Sequence, residues 1–311
     1  FETQRSIVMS KPNVNPAHPN MSRRSFLGLT LKGTALSGLG ALGYAYWVEP
    51  HWIDIVHRPL PIAHLPNQLV GRRLVQISDL HVGESLDKSF ISNALASIAH
   101  LQPDLLVITG DFMTCYDTEQ ISNVVDTLQH LPEVPLGTYA ILGNHDYGRM
   151  WRKSFIAQEL TQQVESTGIR MLRNEVVDVA GLQIAGFDDI WSGLSQPWRT
   201  LRQLQPSRAG LVLCHNPDGA DFPIWKDYQG WILAGHTHGG QCRAPWLDPP
   251  YIPVQNLRYT SGEFLLSGNR RMYINRGLGY TTRLRFNCRP EITVFTLEQD
   301  QQNEPSALET V

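Results

Sequence analysis

Residues 104–111 read DLLVITGD, a short apolar run that ends in a glycine and an aspartate. The run from Asp104 to Thr109 predicts a buried strand, because apolar and β-branched side chains dominate it. Gly110 permits a sharp turn at the end of this strand, so that Asp111 points out of the loop. In α/β sheets, loops at the carboxyl ends of strands gather ligand-binding side chains from distant parts of the sequence.

Four more acid and histidine motifs follow apolar runs in the same way. They are Asp79 and His81, Gly143-Asn144-His145-Asp146, His215, and Gly235-His236-Thr237-His238. Carboxylate, amide and imidazole ligands together suit Mn, Fe, Zn or Co better than Ca or Mg, and the motifs contain no cysteine. The set therefore predicts two adjacent divalent metal ions, a combination typical of phosphoester hydrolysis.

The composition is that of an ordinary globular protein. With 311 residues, 42% hydrophobic and 18% charged, the chain forms one large domain or two small ones. A formal net charge of −3 gives no basic surface for nucleic acid, so no nucleic-acid partner is expected. The four cysteines, without Cys-x-x-Cys spacing, are interpreted as packing residues, and one disulfide stays open for an exported protein. They are Cys115, Cys214, Cys242 and Cys288.

The amino-terminal region resembles a twin-arginine export signal. Ser22-Arg23-Arg24-Ser25-Phe26-Leu27 opens a Gly- and Leu-rich apolar stretch that ends near Trp47. Lys32 and repeated glycines make this stretch a poor membrane span, so we predict a transient signal. The implied partner is the twin-arginine export machinery, and the implied location is the periplasm or the outer face of the membrane. A retained anchor stays open, in association with the membrane surface through interfacial aromatic side chains: Tyr44, Tyr46, Trp47 and Trp52.

From about Pro61, strands and helices alternate, and strands dominate the last part of the chain. This order indicates a pair of mixed sheets with helices outside, and there is no internal repeat. The expected organisation is an upstream extension (1–20), a signal or anchor (21–47), a linker (48–66), the folded domain (67–298) and a disordered polar tail (299–311).

The ordered motifs resemble those of the calcineurin-like metallophosphoesterase superfamily, from about Leu74 to the last strand. The resemblance implies a four-layer α/β/β/α sandwich with two mixed β-sheets, and a monomer. It also implies a site in which Asp79, His81 and His238 hold the first divalent ion, Asn144, His215 and His236 hold the second, and Asp111 bridges them. A hydroxide between the ions would attack phosphorus, since metal binding lowers the pKa of water towards ~7.

The resemblance gives His145 a role other than metal binding. It implies that His145 reaches the substrate phosphate or the leaving oxygen as a donor or general acid. Asp146 would orient the imidazole of His145 in one tautomer.

Residues between the ligands argue against two branches of the superfamily. Thr114 stands where purple acid phosphatases have a tyrosine, so an Fe(III)-tyrosinate site is not expected. Phe112-Met113-Thr114-Cys115 and Asn144-His145-Asp146 differ from the Val-Asp-Arg-Gly and Asn-His-Glu of Ser/Thr protein phosphatases.

Further stretches resemble the exported bacterial branch, the YaeI and YkuE type of phosphodiesterase. They are Glu49-Pro50-His51-Trp52, His215-Asn216-Pro217-Asp218, His238-Gly239-Gly240-Gln241 and Asn287-Cys288-Arg289-Pro290-Glu291. This branch is similar to one class of UDP-2,3-diacylglucosamine pyrophosphatase, which implies a phosphoester substrate that is lipid-linked or a UDP-acyl sugar. The alternatives are a phosphomonoesterase or nucleotidase on the same site, and a non-catalytic metal-binding scaffold. The scaffold is disfavoured because every ligand position is filled.

Candidate substrate contacts come from arginines and from one proline-rich segment. Arg149, Arg243 and Arg276 are candidate phosphate clamps, because guanidinium groups bind oxyanions in bidentate fashion; ordinary surface arginine is the competing interpretation. Residues 245–253, PWLDPPYIP, suggest an apolar wall for a lipid-like portion of the substrate, with Trp246 as its main side chain. A stiff loop packed on the sheet is the competing interpretation.

Two further acids, Asp188 and Asp189, follow Gly186-Phe187 at a predicted strand end. They either face the pocket or cap a loop, and the sequence does not separate these roles.

Overall fold

A computed structural model of the chain describes residues 23–83, 86–114 and 118–300. The predicted upstream extension, Ser22 of the twin-arginine motif, Cys115, and the tail beyond residue 300 lie outside the described residues. The chain divides into residues up to Leu42 and a body from Gly43 onward.

Helix α1 runs from Arg23 to Gly43, and none of its side chains is buried. The hydroxyls of Thr30 and Thr34 each donate to the carbonyl four residues earlier. Among the described residues, no helix combines the length and the apolar character needed to cross a membrane. The export signal stays a prediction.

The described body contains four more α-helices and twelve strands. The helices are α2 (Lys88–Ser97), α3 (Ile121–Leu128), α4 (Ser154–Glu165) and α5 (Pro197–Leu201). The first six strands are β1 (Asp54–Ile62), β2 (Arg73–Ile77), β3 (Leu105–Thr109), β4 (Thr138–Ile141), β5 (Arg170–Met171) and β6 (Glu175–Val179). The last six are β7 (Leu182–Gly186), β8 (Gly210–Leu213), β9 (Trp231–Ala234), β10 (Gly262–Leu265), β11 (Arg271–Ile274) and β12 (Glu291–Gln299).

The strands form two mixed sheets of six strands each. Sheet 1 has the order β1-β12-β2-β3-β4-β5, and sheet 2 has the order β10-β11-β9-β8-β7-β6. In sheet 1, β2, β3, β4 and β5 are parallel neighbours, and β12 runs antiparallel to β2. In sheet 2, β7, β8, β9 and β11 are parallel, and antiparallel strands close both edges.

Three apolar cores separate the layers. Helices α2, α3 and α4 cover one face of sheet 1, where Leu95 and Leu160 belong to the same core as Ile108. Val107, the neighbour of Ile108 in β3, points to the opposite face because side chains alternate along a strand. It belongs to the second core, between the two sheets. The outer face of sheet 2 is covered by loops and by Leu201 of α5. The predicted fold class, an α/β sandwich with two mixed sheets and helices outside, is confirmed.

The structure corrects the predicted linker at residues 48–66. It contains β1, which pairs in parallel with β12 over its whole length. Pro59 and Pro61 made this stretch unlike a strand, because proline lacks the N–H that a sheet ladder needs. As the edge strand of sheet 1, β1 pairs on one side, so the lost donors are tolerated.

Candidate metal centre

The predicted ligands lie in loops directly after five strands, β2, β3, β4, β8 and β9. Because these strands are parallel within their sheets, their carboxyl ends meet at one edge of each sheet. Backbone hydrogen bonds join the loops: the amide of Asp79 donates to Gly110 at 2.9 Å, and that of His81 donates to Asp111 at 3.0 Å. The amide of Gly235 donates to His215 at 3.0 Å, so the β8 and β9 loops are joined in the same way.

The first group of ligand atoms consists of Asp79, His81 and His238, all buried. The Nε2 atoms of His81 and His238 lie 2.9 Å apart, and the two rings are stacked with centroids 4.8 Å apart. Oδ1 of Asp79 lies 3.3 Å from Nε2 of His238 and 3.9 Å from Nε2 of His81. One carboxylate and two imidazoles therefore converge on one point.

The second group consists of Asp111, His215 and His236, also buried, with Asn144 beside them. Nε2 of His215 lies 3.2 Å from Nδ1 of His236 and 3.2 Å from Oδ1 of Asn144. Oδ2 of Asp111 lies 3.3 Å from Nε2 of His215 and 3.5 Å from Nε2 of His81. The same carboxylate oxygen thus faces both groups, as a bridging ligand does.

Outer hydrogen bonds fix which nitrogen each ring of the second group presents. Nδ1 of His215 lies 2.7 Å from the carbonyl oxygen of Thr109, and Nε2 of His236 lies 2.8 Å from that of Pro253. A carbonyl oxygen only accepts, so these nitrogens carry the protons and the facing nitrogens present lone pairs.

The donor set fits two divalent cations. With the imidazoles neutral, their facing lone pairs lie at about hydrogen-bond distance from carboxylate and amide oxygens, an arrangement that repels unless the atoms share a cation. Nitrogen and oxygen donors of this kind suit Mn, Fe, Zn or Co. The seven predicted ligands are brought together, and their assignment to metal ions stays a prediction.

Backbone strain accompanies the ligands. Asp79, His81, Asp111, His236 and His238 all have positive φ values, between 48° and 71°. Such conformations cost non-glycine residues roughly 1–3 kcal/mol each and cluster at functional sites. The fold therefore spends stability to point these five side chains at one place.

Two glycines let the ligand loops approach each other. A Cβ atom on Gly110 would lie 2.6 Å from Nδ1 of His215, and one on Gly143 would lie 2.2 Å from Oδ1 of Asp111. Both contacts are shorter than any real Cβ contact, so a larger residue at either position would displace a ligand. The glycines in the sequence motifs are thus required by close approach as well as by turn geometry.

Electrostatics divide the ligands into charged and neutral groups. Burial alone would raise the pKa of Asp79 and Asp111, but the imidazoles of His238 and His215, respectively, hold both well below the usual range. Burial lowers the pKa of His81 well below its usual value, and it lowers the pKa of His236 to about 3. Both rings therefore stay neutral, the form that binds metal.

His215 behaves differently from the other two rings. Burial would lower its pKa, but the carboxylate of Asp111 raises it well above the usual value. A proton on His215 therefore competes with a cation for the same ring nitrogen, and metal binding must release that proton.

His145 lies at the mouth of the site. Its ring is half-buried and stands edge-on to that of His81, with centroids 5.0 Å apart. Its backbone amide donates to Oδ1 of Asp111 at 2.9 Å, which fixes the loop. This position suits the predicted donor or general acid.

Asp146 was predicted to orient the imidazole of His145, but its carboxylate contacts backbone amides instead. Its Oδ2 accepts from the amide of Gly143 at 2.8 Å, and its Oδ1 accepts from that of Met113 at 3.2 Å. Both oxygens are thus used to tie the β3 loop to the β4 loop. Burial, and then the charge of Asp111, raise the pKa of Asp146 well above its usual value. Bound cations nearby would lower the pKa of Asp146 again.

The three candidate phosphate clamps lie in different surroundings. The guanidinium of Arg276 forms ion pairs with Asp54 and Glu291, and these pairs join β1, β12 and the loop before β12. Its contacts are those of a structural residue, not of a free phosphate clamp. Arg149 is exposed and Arg243 is half-buried, and both stay candidates.

Trp246 is 100% exposed, and the apolar wall that it was predicted to form stays a prediction. The segment 245–253 does border the site, but through its backbone and its prolines. The carbonyl of Pro253 accepts from His236, and Pro249 packs where a Cβ on Gly240 would lie. The competing interpretation, a stiff packed loop, describes the segment better.

An aromatic pair that the sequence did not single out lies against the second group. The ring of Trp191 stands edge-on to that of His236, with centroids 4.7 Å apart, and the ring of Trp151 lies 4.6 Å from Trp191 at 32°. The available signal was the position of Trp151, five residues after Asp146. Trp191 had no comparable signal.

Asp188 and Asp189 have separate tasks. Asp188 pairs with the guanidinium of Arg173 and accepts from the side-chain amide of Asn174. Oδ1 of Asp189 accepts from the amide of Trp191 at 2.8 Å, whereas its buried Oδ2 has no hydrogen-bond partner among the described residues. Burial raises the pKa of Asp189 to about 6. Asp188 is structural, and Asp189 both caps a loop and leaves one oxygen unpaired.

A fully buried arginine supports Asp79 from behind. Arg285 donates to the carbonyls of Gly279 at 2.7 Å and Gly277 at 3.1 Å. The same loop holds the two residues that follow β2. The amide of Gly279 donates to the carbonyl of Asp79 at 2.7 Å, and the amide of Leu278 donates to that of Ser78 at 2.9 Å. Nothing in the sequence points to this role, because a single arginine in a loop is normally a surface residue.

Comparisons with known proteins agree with this geometry. Residues 72–240 match the family described as Calcineurin-like phosphoesterase. The chain is 34% identical to the uncharacterized metallophosphoesterase YkuE of Bacillus subtilis (strain 168), over 89% of this chain and 98% of that protein. It is 33% identical to phosphodiesterase YaeI of Escherichia coli (strain K12), over 89% and 99%. UDP-2,3-diacylglucosamine pyrophosphatase LpxG of Chlamydia muridarum (strain MoPn / Nigg) is 29% identical, over 87% and 97%. The chain therefore belongs to the calcineurin-like phosphoesterase family and is a phosphoester hydrolase.

Proposed function

We propose that this chain is a dinuclear metal-dependent phosphodiesterase that acts outside the cytoplasm. The observation that carries the proposal is the position of Asp111, whose Oδ2 faces both His81 at 3.5 Å and His215 at 3.3 Å. Two ions that share one carboxylate oxygen bind close together, as in enzymes that hold a phosphoryl group between two metals.

The residues of the site have separate roles in metal binding, proton donation and loop positioning. Asp79, His81 and His238 would hold one ion, Asn144, His215 and His236 would hold the other, and Asp111 would be shared between them. When bound, the ions supply Lewis-acid activation of water and of the phosphoryl group. His145 donates a proton to the leaving oxygen at the mouth of the site. Asp146 keeps the loops of Asp111 and Asn144 at a fixed distance.

The preference for diesters rests on relatives. YaeI is named a phosphodiesterase, and LpxG is named a UDP-2,3-diacylglucosamine pyrophosphatase, a name that describes a diacylated sugar substrate. Both relatives are covered over nearly their full lengths. We propose that the substrate here is likewise a phosphodiester or pyrophosphate with a lipid-like portion.

A substrate panel tests the catalytic part. Chelator-treated protein is reloaded separately with Mn²⁺, Zn²⁺, Co²⁺ or Fe²⁺ and assayed on bis-p-nitrophenyl phosphate, p-nitrophenyl phosphate and a UDP-linked diacyl sugar. We expect diester hydrolysis that requires metal and falls at least ~100-fold in Asp111→Asn, with His100→Ala as a control for loss of an exposed histidine. A preference for the monoester would favour a phosphomonoesterase. Activity that survives both Asp111→Asn and Asn144→Ala would contradict the metal mechanism.

Export is proposed from the motif that starts with Arg23 and Arg24. Cell fractionation of the wild type and of the double variant Arg23→Lys, Arg24→Lys tests it. We expect the wild type outside the cytoplasm and the variant inside it. Wild-type protein found in the cytosol of cells with an intact twin-arginine pathway would refute the proposal.

A further inference from the structure

A cleft opens beside the second group of ligands, on the side of His236. It has a volume of about 590 Å³, and its lining is mostly apolar. The lining residues are Met150, Trp151, Arg152, Ile190, Trp191 and Gly193. No carboxylate belongs to this lining, so the cleft presents no charge that would repel an anionic phosphoester.

The aromatic floor of the cleft is continuous with a ligand of the site. Trp191 contacts the ring of His236 edge-on at 4.7 Å, and Trp151 covers Trp191 at 4.6 Å with their planes 32° apart. Trp191 thus connects the lining of the cleft to the ring of a predicted metal ligand. Aromatic faces of this kind bury large apolar areas at little entropic cost.

The backbone holds the cleft open instead of letting it collapse. Met150 and Trp151 have φ values of 62° and 58°, a conformation that is uncommon in residues with large side chains. The turn is fixed by the amide of Trp151, which donates to Gly148 at 3.0 Å, and by that of Lys153, which donates to Tyr147 at 2.9 Å. On the opposite wall, the carboxylate of Asp189 fixes the amide of Trp191.

The same turn exposes apolar surface. Met150 is 74% exposed and Trp151 is 38% exposed. A strained turn that presents two large apolar side chains next to a reaction centre costs stability, and such clusters commonly mark ligand sites.

We propose that the cleft formed by Met150, Trp151, Ile190 and Trp191 binds the apolar ester group of the substrate. The group can be an alkyl chain or an aromatic ring, since both bury hydrocarbon against indole. This inference rests on the proposed phosphodiesterase function and extends it, by placing the specificity for the apolar group beside His236 and away from Trp246.

A series of p-nitrophenyl diesters with methyl, octyl or phenyl as the second ester group tests the inference. For metal-loaded wild type we expect KM to fall by about tenfold or more from methyl to octyl or phenyl, because burial of each CH₂ favours binding. Trp151→Ala should remove most of this preference, so that its KM values for the three esters lie within about twofold of one another. The control is Trp198→Ala, which removes an exposed tryptophan of α5.

A binding measurement separates this inference from the proposed function. Octylphosphonate and methylphosphonate are titrated against metal-loaded protein while tryptophan fluorescence is recorded. We expect octylphosphonate to change the emission at lower concentration than methylphosphonate, and Trp151→Ala and Trp191→Phe to weaken only octylphosphonate. Trp191→Phe keeps an apolar ring, so it guards against misfolding.

The outcomes distinguish the two ideas. If the wild type hydrolyses no diester but still prefers octylphosphonate through Trp151, the cleft is supported and the phosphodiesterase proposal fails. If the wild type hydrolyses the esters and Trp151→Ala affects methyl, octyl and phenyl esters equally, the cleft proposal is overturned. A loss restricted to the octyl series identifies an alkyl site, and one restricted to the phenyl ester identifies a site for a ring; either supports the cleft.

Discussion

The Nε2 atoms of His81 and His238 lie 2.9 Å apart in stacked rings, with Oδ1 of Asp79 3.3 Å from the second of them. Two imidazole nitrogens and a carboxylate oxygen at these distances can be satisfied together by one cation. A divalent ion is the simplest such cation, so the site should contribute to stability as well as to chemistry.

Metal removal should therefore lower the melting temperature. At metal concentrations about 100-fold above Kd, binding stabilises the folded state by about 2.7 kcal/mol, which corresponds to roughly 5–10 °C for a domain of this size. Calorimetry of chelator-treated protein, before and after addition of Mn²⁺ or Zn²⁺, measures the shift. His81→Ala should show a smaller shift than the wild type, and an equal shift in both would argue against this group as a metal site.

Replacing His145 should affect catalysis without affecting metal content. The ring is half-buried at the mouth of the site and stands beside His81 without sharing its ligand point. We expect His145→Ala to lower kcat on a diester by about 10²–10³-fold with two ions still bound. Elemental analysis alongside kinetics checks both parts. Loss of an ion would show that His145 is a ligand instead.

Asp146→Asn should affect metal binding as well as catalysis. Both carboxylate oxygens accept from backbone amides, of Gly143 and Met113. An asparagine has one acceptor oxygen, so its NH₂ group would face one of these N–H donors and push the two loops apart. Metal affinity should fall together with kcat, as measured by calorimetric titration. Unchanged metal affinity with reduced kcat would restore the orienting role that the sequence suggested for Asp146.

The sequence predicted that the candidate ligands lie together, because their placement at strand ends depends on local rules. A glycine and a polar residue after each apolar run are enough to place Asp111, Asn144 and His236 at the ends of strands, and parallel strands bring those ends together. Edge strand β1 was not recognised, since Pro59 and Pro61 are compatible with a strand only when its neighbour lies on one side.

Contacts between distant loops could not be read from the sequence. The stacking of Trp151 on Trp191 depends on the left-handed turn at Met150 and Trp151, which nothing in these residue types requires. Arg285 is similar, because only the closed fold surrounds its guanidinium with carbonyl groups. Such roles arise from tertiary packing, which residue type and spacing do not encode.

Arg285→Met should destabilise the protein strongly. The carbonyls of Gly277 and Gly279 would lose a buried donor, and an unpaired buried carbonyl costs about 1–3 kcal/mol. We expect the free energy of unfolding to fall by about 3–5 kcal/mol in urea denaturation, with metal affinity reduced because the loop supports Asp79. Arg283→Met is the matched control, since its guanidinium donates to an exposed carbonyl of Tyr46. An effect no larger than that of the control would show that Arg285 does not support the site.

Asp189→Asn should stabilise metal-free protein in a pH-dependent way. The folded pKa of Asp189 is raised from 3.8 to about 6 by burial, so the charged form is disfavoured in the folded state. Stability is therefore lost as the pH rises from about 4 through about 6, and the loss stays constant above that, at roughly 3 kcal/mol. Asparagine carries no charge, and its oxygen can still accept from the amide of Trp191.

Urea denaturation of metal-free wild type and Asp189→Asn at pH 4.5 and 7.5 measures this difference. We expect the variant to be more stable by up to roughly 3 kcal/mol at pH 7.5, with the gap closing towards pH 4.5. Asp126→Asn, an exposed position in α3, serves as the control. With metal bound, the positive ions favour the charge of Asp189, so the advantage of the variant should shrink. An advantage of equal size at both pH values would mean that the carboxylate of Asp189 is not the group responsible.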